Sequence, residues 1–176
     1  MSSQKLRIAG VIEESIVDGP GIRFVIFTQG CPHHCPGCQN PQTHDFVGGS
    51  DVEPDSLLTQ ILSNPLLSGV TLSGGEPFCQ AGALTPLVRA LREKGKHIMA
   101  YSGYTWEQLM QHADPDVPAL LRLCDVLVDG RFVQEERDLT LRFRGSRNQR
   151  LIDVPASLRA GRVVETTCER SIEVII

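Results

Sequence analysis

Residues 22–44 read IRFVIFTQGCPHHCPGCQNPQTH. Two signals meet here. The first nine residues, 22-IRFVIFTQG-30, are rich in Ile, Val, Phe and Thr and close on a glycine, the pattern of a buried strand running into a turn. A loop follows, because Pro32, Pro36, Gly37 and Pro41 deny it regular structure. That loop holds three of the chain's six cysteines within eight residues, as Cys31-x3-Cys35-x2-Cys38. The strand must belong to some sheet, and the thiols must hold something.

The downstream segments say which sheet. Residues 54-PDSLLTQILSN-64 predict a helix, with Pro54 in its first turn and Pro65 beyond its end. Residues 69-GVTLSGGEP-77 predict a short strand that runs into a glycine turn. In 80-QAGALTPLVRALREKG-95, Leu84, Leu87, Val88 and Leu91 fall at i, i+3, i+4 and i+7, one buried helical face stopped by Gly95. A strand over 97–103, a helix over 105–113 with Thr105 as its N-cap, a helix over 117–124 and a strand over 125–130 complete the series. Strands alternating with helices at this spacing imply an α/β fold on a mainly parallel sheet with right-handed crossovers. The 176 residues make one domain but fall short of the ~250 of a closed eight-stranded barrel, so an incomplete, open barrel is expected. Its core is expected over about 12–154, with a C-terminal extension over 155–176. Sites in such folds gather at the C-terminal strand ends, where both the cysteine loop and SGGEP lie.

Composition bounds the function. The net charge of −4 asks for no basic face, which argues against generic nucleic-acid binding. The start MSSQKLRIAG lacks the apolar run of a signal peptide, and no stretch approaches the ~18 apolar residues of a membrane span. A cytosolic location follows, where thiols stay reduced and a tight cysteine group reads as metal-binding. Cys79, Cys124 and Cys168 read as small core residues or single thiols.

Two metal centres suit the thiols. A structural zinc site needs four ligands, which His33, His34 or His44 could complete, although His33 and His34 lie between two cysteines and reach the same ion poorly. An iron–sulfur cluster is a larger object and suits irregular spacing; three thiolates leave one of its four irons open to a substrate. In 73-SGGEP-77 the glycines let backbone come close, and carbonyls with Glu76 suit an ammonium group.

The spacing Cys-x3-Cys-x2-Cys after a first barrel strand, with SGGEP, resembles the radical S-adenosylmethionine enzymes. Within them, 17-VDGPGIRFVIFTQGC-31 resembles the glycyl-radical-enzyme activases, and 101-YSGYTWEQL-109, 128-VDGRF-132 and 145-GSRNQRLIDV-154 resemble the activases of anaerobic ribonucleoside-triphosphate reductase. The resemblance spans residues 12–154. It implies that Cys31, Cys35 and Cys38 hold a 4Fe–4S cluster whose fourth iron takes S-adenosylmethionine. It further implies cofactor contacts at Gly37, Cys38, Gln39, Ser73, Gly74, Gly75, Glu76 and Asp129. The implied reaction is reductive cleavage to a 5′-deoxyadenosyl radical, which takes a hydrogen from a glycine of the reductase; the implied electron donor is a reduced flavodoxin. The cofactors carry that chemistry, and no catalytic protein base is expected.

Two positions depart from the wider family. Gly37 stands where many members carry an aromatic residue against the adenine, and Arg131 replaces the lysine of the Asp-x-Lys found in the pyruvate formate-lyase branch. Asp18-Gly19-Pro20-Gly21 is the expected loop admitting the partner's peptide, with a plain turn as the alternative. Arg142, Arg144, Arg147 and Arg150 could meet an acidic patch on the partner or form a solvated face, and Asn148-Gln149-Arg150 could line the cofactor cleft. Pro32 and Pro36 remove N–H donors beside the ligands, or merely stiffen the loop. His33 and His34 are expected at the loop surface, and the tail 161–176 as an added strand or docking segment. The rival readings are activation of another glycyl radical enzyme of the formate-lyase type, and a non-catalytic iron–sulfur or zinc module.

Overall fold

The computed structural model describes residues 4–168. Seven strands form one sheet: β1 (Leu6–Ser15), β2 (Arg23–Thr28), β3 (Ser50–Val52), β4 (Gly69–Gly74), β5 (His97–Tyr101), β6 (Val126–Asp129) and β7 (Arg150–Asp153). Their order is β3-β1-β2-β4-β5-β6-β7, a mixed α/β fold on an open sheet. The central strands β2, β4, β5 and β6 pair in parallel. The flanking pairs β1–β2, β1–β3 and β6–β7 are antiparallel. The alternation of strands and helices therefore reads the centre of the sheet, and antiparallel strands extend both edges.

Five helices accompany the sheet: α1 (Pro54–Ser63), α2 (Ala81–Glu93), α3 (Trp106–Met110), α4 (Asp116–Leu123) and α5 (Val154–Ala160). The α2 stripe of Leu84, Leu87, Val88 and Leu91 is buried against Ile26, Val70, Leu72 and Ile98 of the sheet. Full burial of such a side chain stabilises by about 1.5–3 kcal/mol, so four of them hold the helix down. Gly95 ends this helix in the left-handed region, at φ 74°. Thr105 caps α3 in a capping box with Gln108.

Strand alternation sends Thr71, Met99, Val126 and Val128 to the other face. There Met99, Val126, Val128 and Leu151 form a smaller cluster, joined by Tyr101, Phe143 and Cys168. The parallel register levels Thr28 with Gly74 and Tyr101 with Val128, so the loops after β2, β4, β5 and β6 open at one end of the sheet. Among the described residues no helix is long and apolar enough to cross a membrane. In the tail, Glu165 makes an isolated bridge to Ile152, while residues 169–176, with the apolar Val174-Ile175-Ile176 end, lie outside the described residues.

Candidate cluster and cofactor site

The cysteine loop is pinched at its root. Gly30 N–H donates to the Thr43 carbonyl at 2.8 Å, and Cys31 N–H to that of His44 at 3.1 Å. Cys31 is buried, whereas Cys35 and Cys38 are partly exposed. Burial pushes the Cys31 thiol up, and the backbone N–H groups of His33 and His34, directed at its sulfur, pull it the other way. Asn40 N–H donates to Cys38 Sγ at 3.4 Å. Two of the three sulfurs thus have N–H donors from residues that are not proline, so Pro32 and Pro36 do not leave the ligands bare. Gly37 sits at φ 72°, so this position needs glycine for conformation; the group a Cβ there would meet, the end of the Gln134 side chain at 2.8 Å, can swing aside.

The SGGEP turn lies directly on that root. Gly75 N–H donates to the Thr28 carbonyl and Glu76 N–H to that of Gly30, each at 2.8 Å. A Cβ on Gly75 would fall 2.4 Å from the Gly30 oxygen. Ser73, Gly74 and Gly75 are partly exposed, but Glu76 is fully buried. Its carboxylate accepts from Phe78 N–H at 3.1 Å, Ser102 Oγ at 3.0 Å, Gly103 N–H at 2.9 Å and His33 Nε2 at 2.7 Å. An expected carboxylate for an ammonium group is thus already saturated by four protein donors.

Asp129, at the end of β6, is likewise turned inward. It accepts from Trp106 N–H at 2.7 Å and from both Nε and Nη2 of Arg150. That pairing, Asp129 first and Glu107 second, raises the guanidinium above its ordinary range. The same arginine lowers the Glu107 carboxyl. A cavity of about 530 Å³ opens here, lined by Gly103, Asp129, Gly130, Asn148 and Arg150 among others. Asn148 and Arg150 therefore do face a cleft at the site's end of the sheet, while Gln149 is buried and bonds the Gly130 carbonyl.

An iron–sulfur cluster fits these residues. Three thiols come from one irregular loop, backbone N–H groups already point at two of the sulfurs, and a buried His44 Nε2 on the same loop lacks a partner. A zinc site completed by His33 does not fit, since the His33 Nε2 is spent on Glu76. Among the described residues no group of three or more His, Cys, Asp or Glu side chains converges as one metal ion would require. The chain matches the 4Fe-4S single cluster domain family over residues 17–152. It is 37% identical over 142 residues to the anaerobic ribonucleoside-triphosphate reductase-activating protein of Vibrio cholerae, covering 76% of this chain and 89% of that one. With the protein of that name from Escherichia coli K12 it shares 36% over 146 residues, 76% of this chain and 90% of that one. The chain belongs to the anaerobic ribonucleoside-triphosphate reductase-activating protein family. It is an activating protein of that family, built on a 4Fe–4S single cluster domain. The pyruvate formate-lyase-activating enzyme of Clostridium pasteurianum is 37% identical over 117 residues, 61% of this chain but 49% of that one. The solved structure of QueE from Escherichia coli aligns with a TM-score of 0.46 at 21% identity, over 57% of this chain and 54% of that one.

The remaining expected residues of this family member are distributed as follows. Cys31, Cys35, Cys38, Gly37 and Gln39 share the cysteine loop, and Gly145 approaches Gln39 and Phe132 from the segment after β6. Asp18–Gly21 is not a free lid. Gly19 and Pro20 are buried, the Asp18 carbonyl accepts from Thr71 Oγ1 at 2.7 Å, and a Cβ on Gly19 would fall 2.9 Å from Met99 Sδ. The loop thus folds over the sheet face that carries Thr71 and Met99. The four arginines are not a row of free cations: Arg150 is paired, Arg147 lies 3.9 Å from Asp138, Arg144 bonds the Gln149 carbonyl, and Arg142 stacks on Phe143. His34 is exposed as expected, but His33 is buried, a correction with a physical reason: its ring is the donor that Glu76 requires. Ser102 and Tyr104 lie in the 101-YSGYTWEQL-109 stretch that carried the resemblance, but with no role assigned, and Gln134 had no signal in the sequence; each matters because of what the fold puts beside it.

Proposed function

We propose that this protein activates anaerobic ribonucleoside-triphosphate reductase by generating a radical on one of its glycines. What carries the reading is the adjacency of the three-cysteine loop and the SGGEP turn on neighbouring parallel strands, in a chain of this family. When bound, the cluster and S-adenosylmethionine would supply the one-electron chemistry that takes a hydrogen atom from the partner's glycine. Cys31, Cys35 and Cys38 would hold the cluster. The backbone of Gly37–Gln39 and Ser73–Gly75 would contact the cofactor, since Gly37, Ser73, Gly74 and Gly75 allow close approach. Glu76 and Asp129 serve it from behind, by fixing the turns that touch it.

We infer further that the open sheet is an incomplete (β/α) barrel whose helix-free face receives the partner's peptide. Asp18–Gly21 overhangs that face, and the neighbouring Ile16 and Val17, 77% and 72% exposed, form an apolar rim beside it. A reduced flavodoxin-type protein supplies the electron. The test is anaerobic reconstitution with iron and sulfide, then dithionite and S-adenosylmethionine. Formation of 5′-deoxyadenosine, and a glycyl doublet in electron paramagnetic resonance when the reductase is added, are the expected results. A colourless protein carrying stoichiometric zinc would remove the reading.

A further inference from the structure

Between Cys31 and Cys38 the chain makes few attachments to the rest of the protein. The bond from Cys38 N–H to the Cys35 carbonyl is internal to the loop, as is that from Asn40 N–H to Cys38 Sγ. Among the described residues, His33 is the one residue of the segment 32–38 whose hydrogen bond leaves the cysteine loop. Its Nε2 donates to Glu76 Oε2 at 2.7 Å, with the two side chains 3% and 0% exposed. At that depth an unmade bond costs far more than at the surface, so the pair fixes its geometry.

The ring is also held sterically. A Cβ on Gly103 would fall 2.3 Å from His33 Cδ2, and Tyr104 meets the ring edge-on with centroids 4.5 Å apart. Gly103 and Ser102 both donate to the same Glu76 carboxylate. One buried carboxylate therefore gathers the loops after β2, β4 and β5, and among the described residues His33 is the strut that comes from the ligand-bearing segment.

We propose that His33 is a positioning residue that sets the cysteine loop at a fixed distance and angle from the Ser73–Gly75 turn. It ligates nothing. It holds the open corner of the cluster where a cofactor on that turn can reach it. This rests on the reading that S-adenosylmethionine binds at the turn.

Three variants test it: His33→Phe keeps a ring but removes the donor, His33→Gln keeps a donor, and Gly103→Ala unseats the ring without altering either bonded partner. Each is reconstituted anaerobically and assayed for iron and sulfide. S-adenosylmethionine is then titrated calorimetrically, and the resonance of the reduced cluster is recorded with and without it. His33→Phe and Gly103→Ala are expected to load iron as the wild type does, since all three thiols remain. They should bind S-adenosylmethionine about 10- to 100-fold more weakly, the loss typical of outer-shell supports, with the cofactor-induced change in the resonance diminished. His33→Gln should recover most of the affinity. Wild-type affinity and resonance in His33→Phe would overturn the proposal. So would a fall in iron content that matches the loss of binding in both His33 variants, because the residue would then only hold the loop together. No S-adenosylmethionine binding by the iron-loaded wild type would sink the underlying reading and the inference with it, an outcome separate from the other two.

Discussion

Arg150 grips Asp129 with two arms: its Nε lies 3.0 Å from Oδ1 and its Nη2 2.5 Å from Oδ2. Asp129 is 1% exposed, and the remaining donor it meets is the Trp106 N–H at the start of α3. The pair therefore fastens β7 and α3 to the end of β6. With Glu76, it leaves both motif carboxylates of the mouth facing inward. The surface offered to a cofactor is then glycine backbone, which can come close without presenting a fixed charge.

Removing the arginine should expose the cost of that arrangement. Arg150→Ala leaves a buried carboxylate with one N–H donor. Stranding a buried charge costs about 3–5 kcal/mol, and the lower end applies because Arg150 is itself partly exposed. Arg150→Lys should fall between wild type and alanine, since an ammonium cannot span both oxygens. Asp129→Asn should cost less than Arg150→Ala, since no uncompensated charge stays behind. Urea unfolding of the metal-free variants gives the ranking; an Arg150→Ala loss under about 1 kcal/mol would show that the grip is not needed.

Two glycines separate conformational strain from lack of space. Gly95 has φ 74° but open space around a would-be Cβ, so Gly95→Ala should cost about 1–2 kcal/mol, the price of the left-handed region. At Gly75 the Cβ would fall 2.4 Å from one backbone oxygen and 3.0 Å from another, and backbone does not swing aside. Gly75→Ala should therefore lift the SGGEP turn off the cysteine loop. It should destabilise more than Gly95→Ala and also weaken cofactor binding, which Gly95→Ala leaves intact. Paired unfolding curves and calorimetric titrations decide it.

The cysteines divide into ligands and bystanders. Cys31→Ser, Cys35→Ser and Cys38→Ser should each lose the visible absorbance of the reconstituted cluster and most of the iron. Cys79→Ser and Cys124→Ser should keep both. Cys124 is fully buried, its thiol pushed up to about 12 by desolvation; a serine hydroxyl could keep the thiol's bond to the Leu120 carbonyl, so serine there should lower stability by about 1 kcal/mol, the low end for a buried hydroxyl. Retained iron in any of the first three would move the cluster elsewhere.

The parts legible in the sequence are those where one residue type has one physical job. Leu84, Leu87, Val88 and Leu91 carry a period, and a period survives any tertiary context. The β2 run is apolar on both faces because it is a central parallel strand. The antiparallel additions carried no such mark. β1, though ten residues long, holds Gly10 and ends in an exposed acidic stretch, so its alternation fades where it leaves the core. β3 has three residues, and β7, though as long as β6, sets only Leu151 and Ile152 between charged ends where β6 has the unbroken run Val126-Leu127-Val128. At the site, the cysteine spacing and the glycine turn could be read, since chain geometry fixes them. The orientation of Glu76 could not: whether a carboxylate faces a ligand or a histidine depends on a partner 43 residues away.

Cys79 makes a last test of the electrostatics. It reaches the surface beside the SGGEP turn, yet desolvation, then Glu76 and Cys31, raise its thiol to about 12. The thiolate is the reactive form, so at pH 8 its fraction is about 10⁻⁴, against roughly a quarter for an ordinary thiol with a pKa near 8.5. The more basic thiolate is a better nucleophile, which returns about 1.6 of those roughly 3.4 log units. Exchange with a dithiodipyridine reagent in the metal-free protein should thus run about fiftyfold slower at Cys79 than at an unperturbed exposed thiol. The sign of the pH dependence follows as well: below its pKa the thiolate fraction grows tenfold per unit, so the Cys79 rate should still be climbing between pH 9 and 10, where an ordinary thiol levels off. Mass spectrometry of the labelled peptide after acid quenching reads the rate at this site alone, and a plateau by pH 9 would mean that Glu76 and burial do not act on the sulfur as the structure implies.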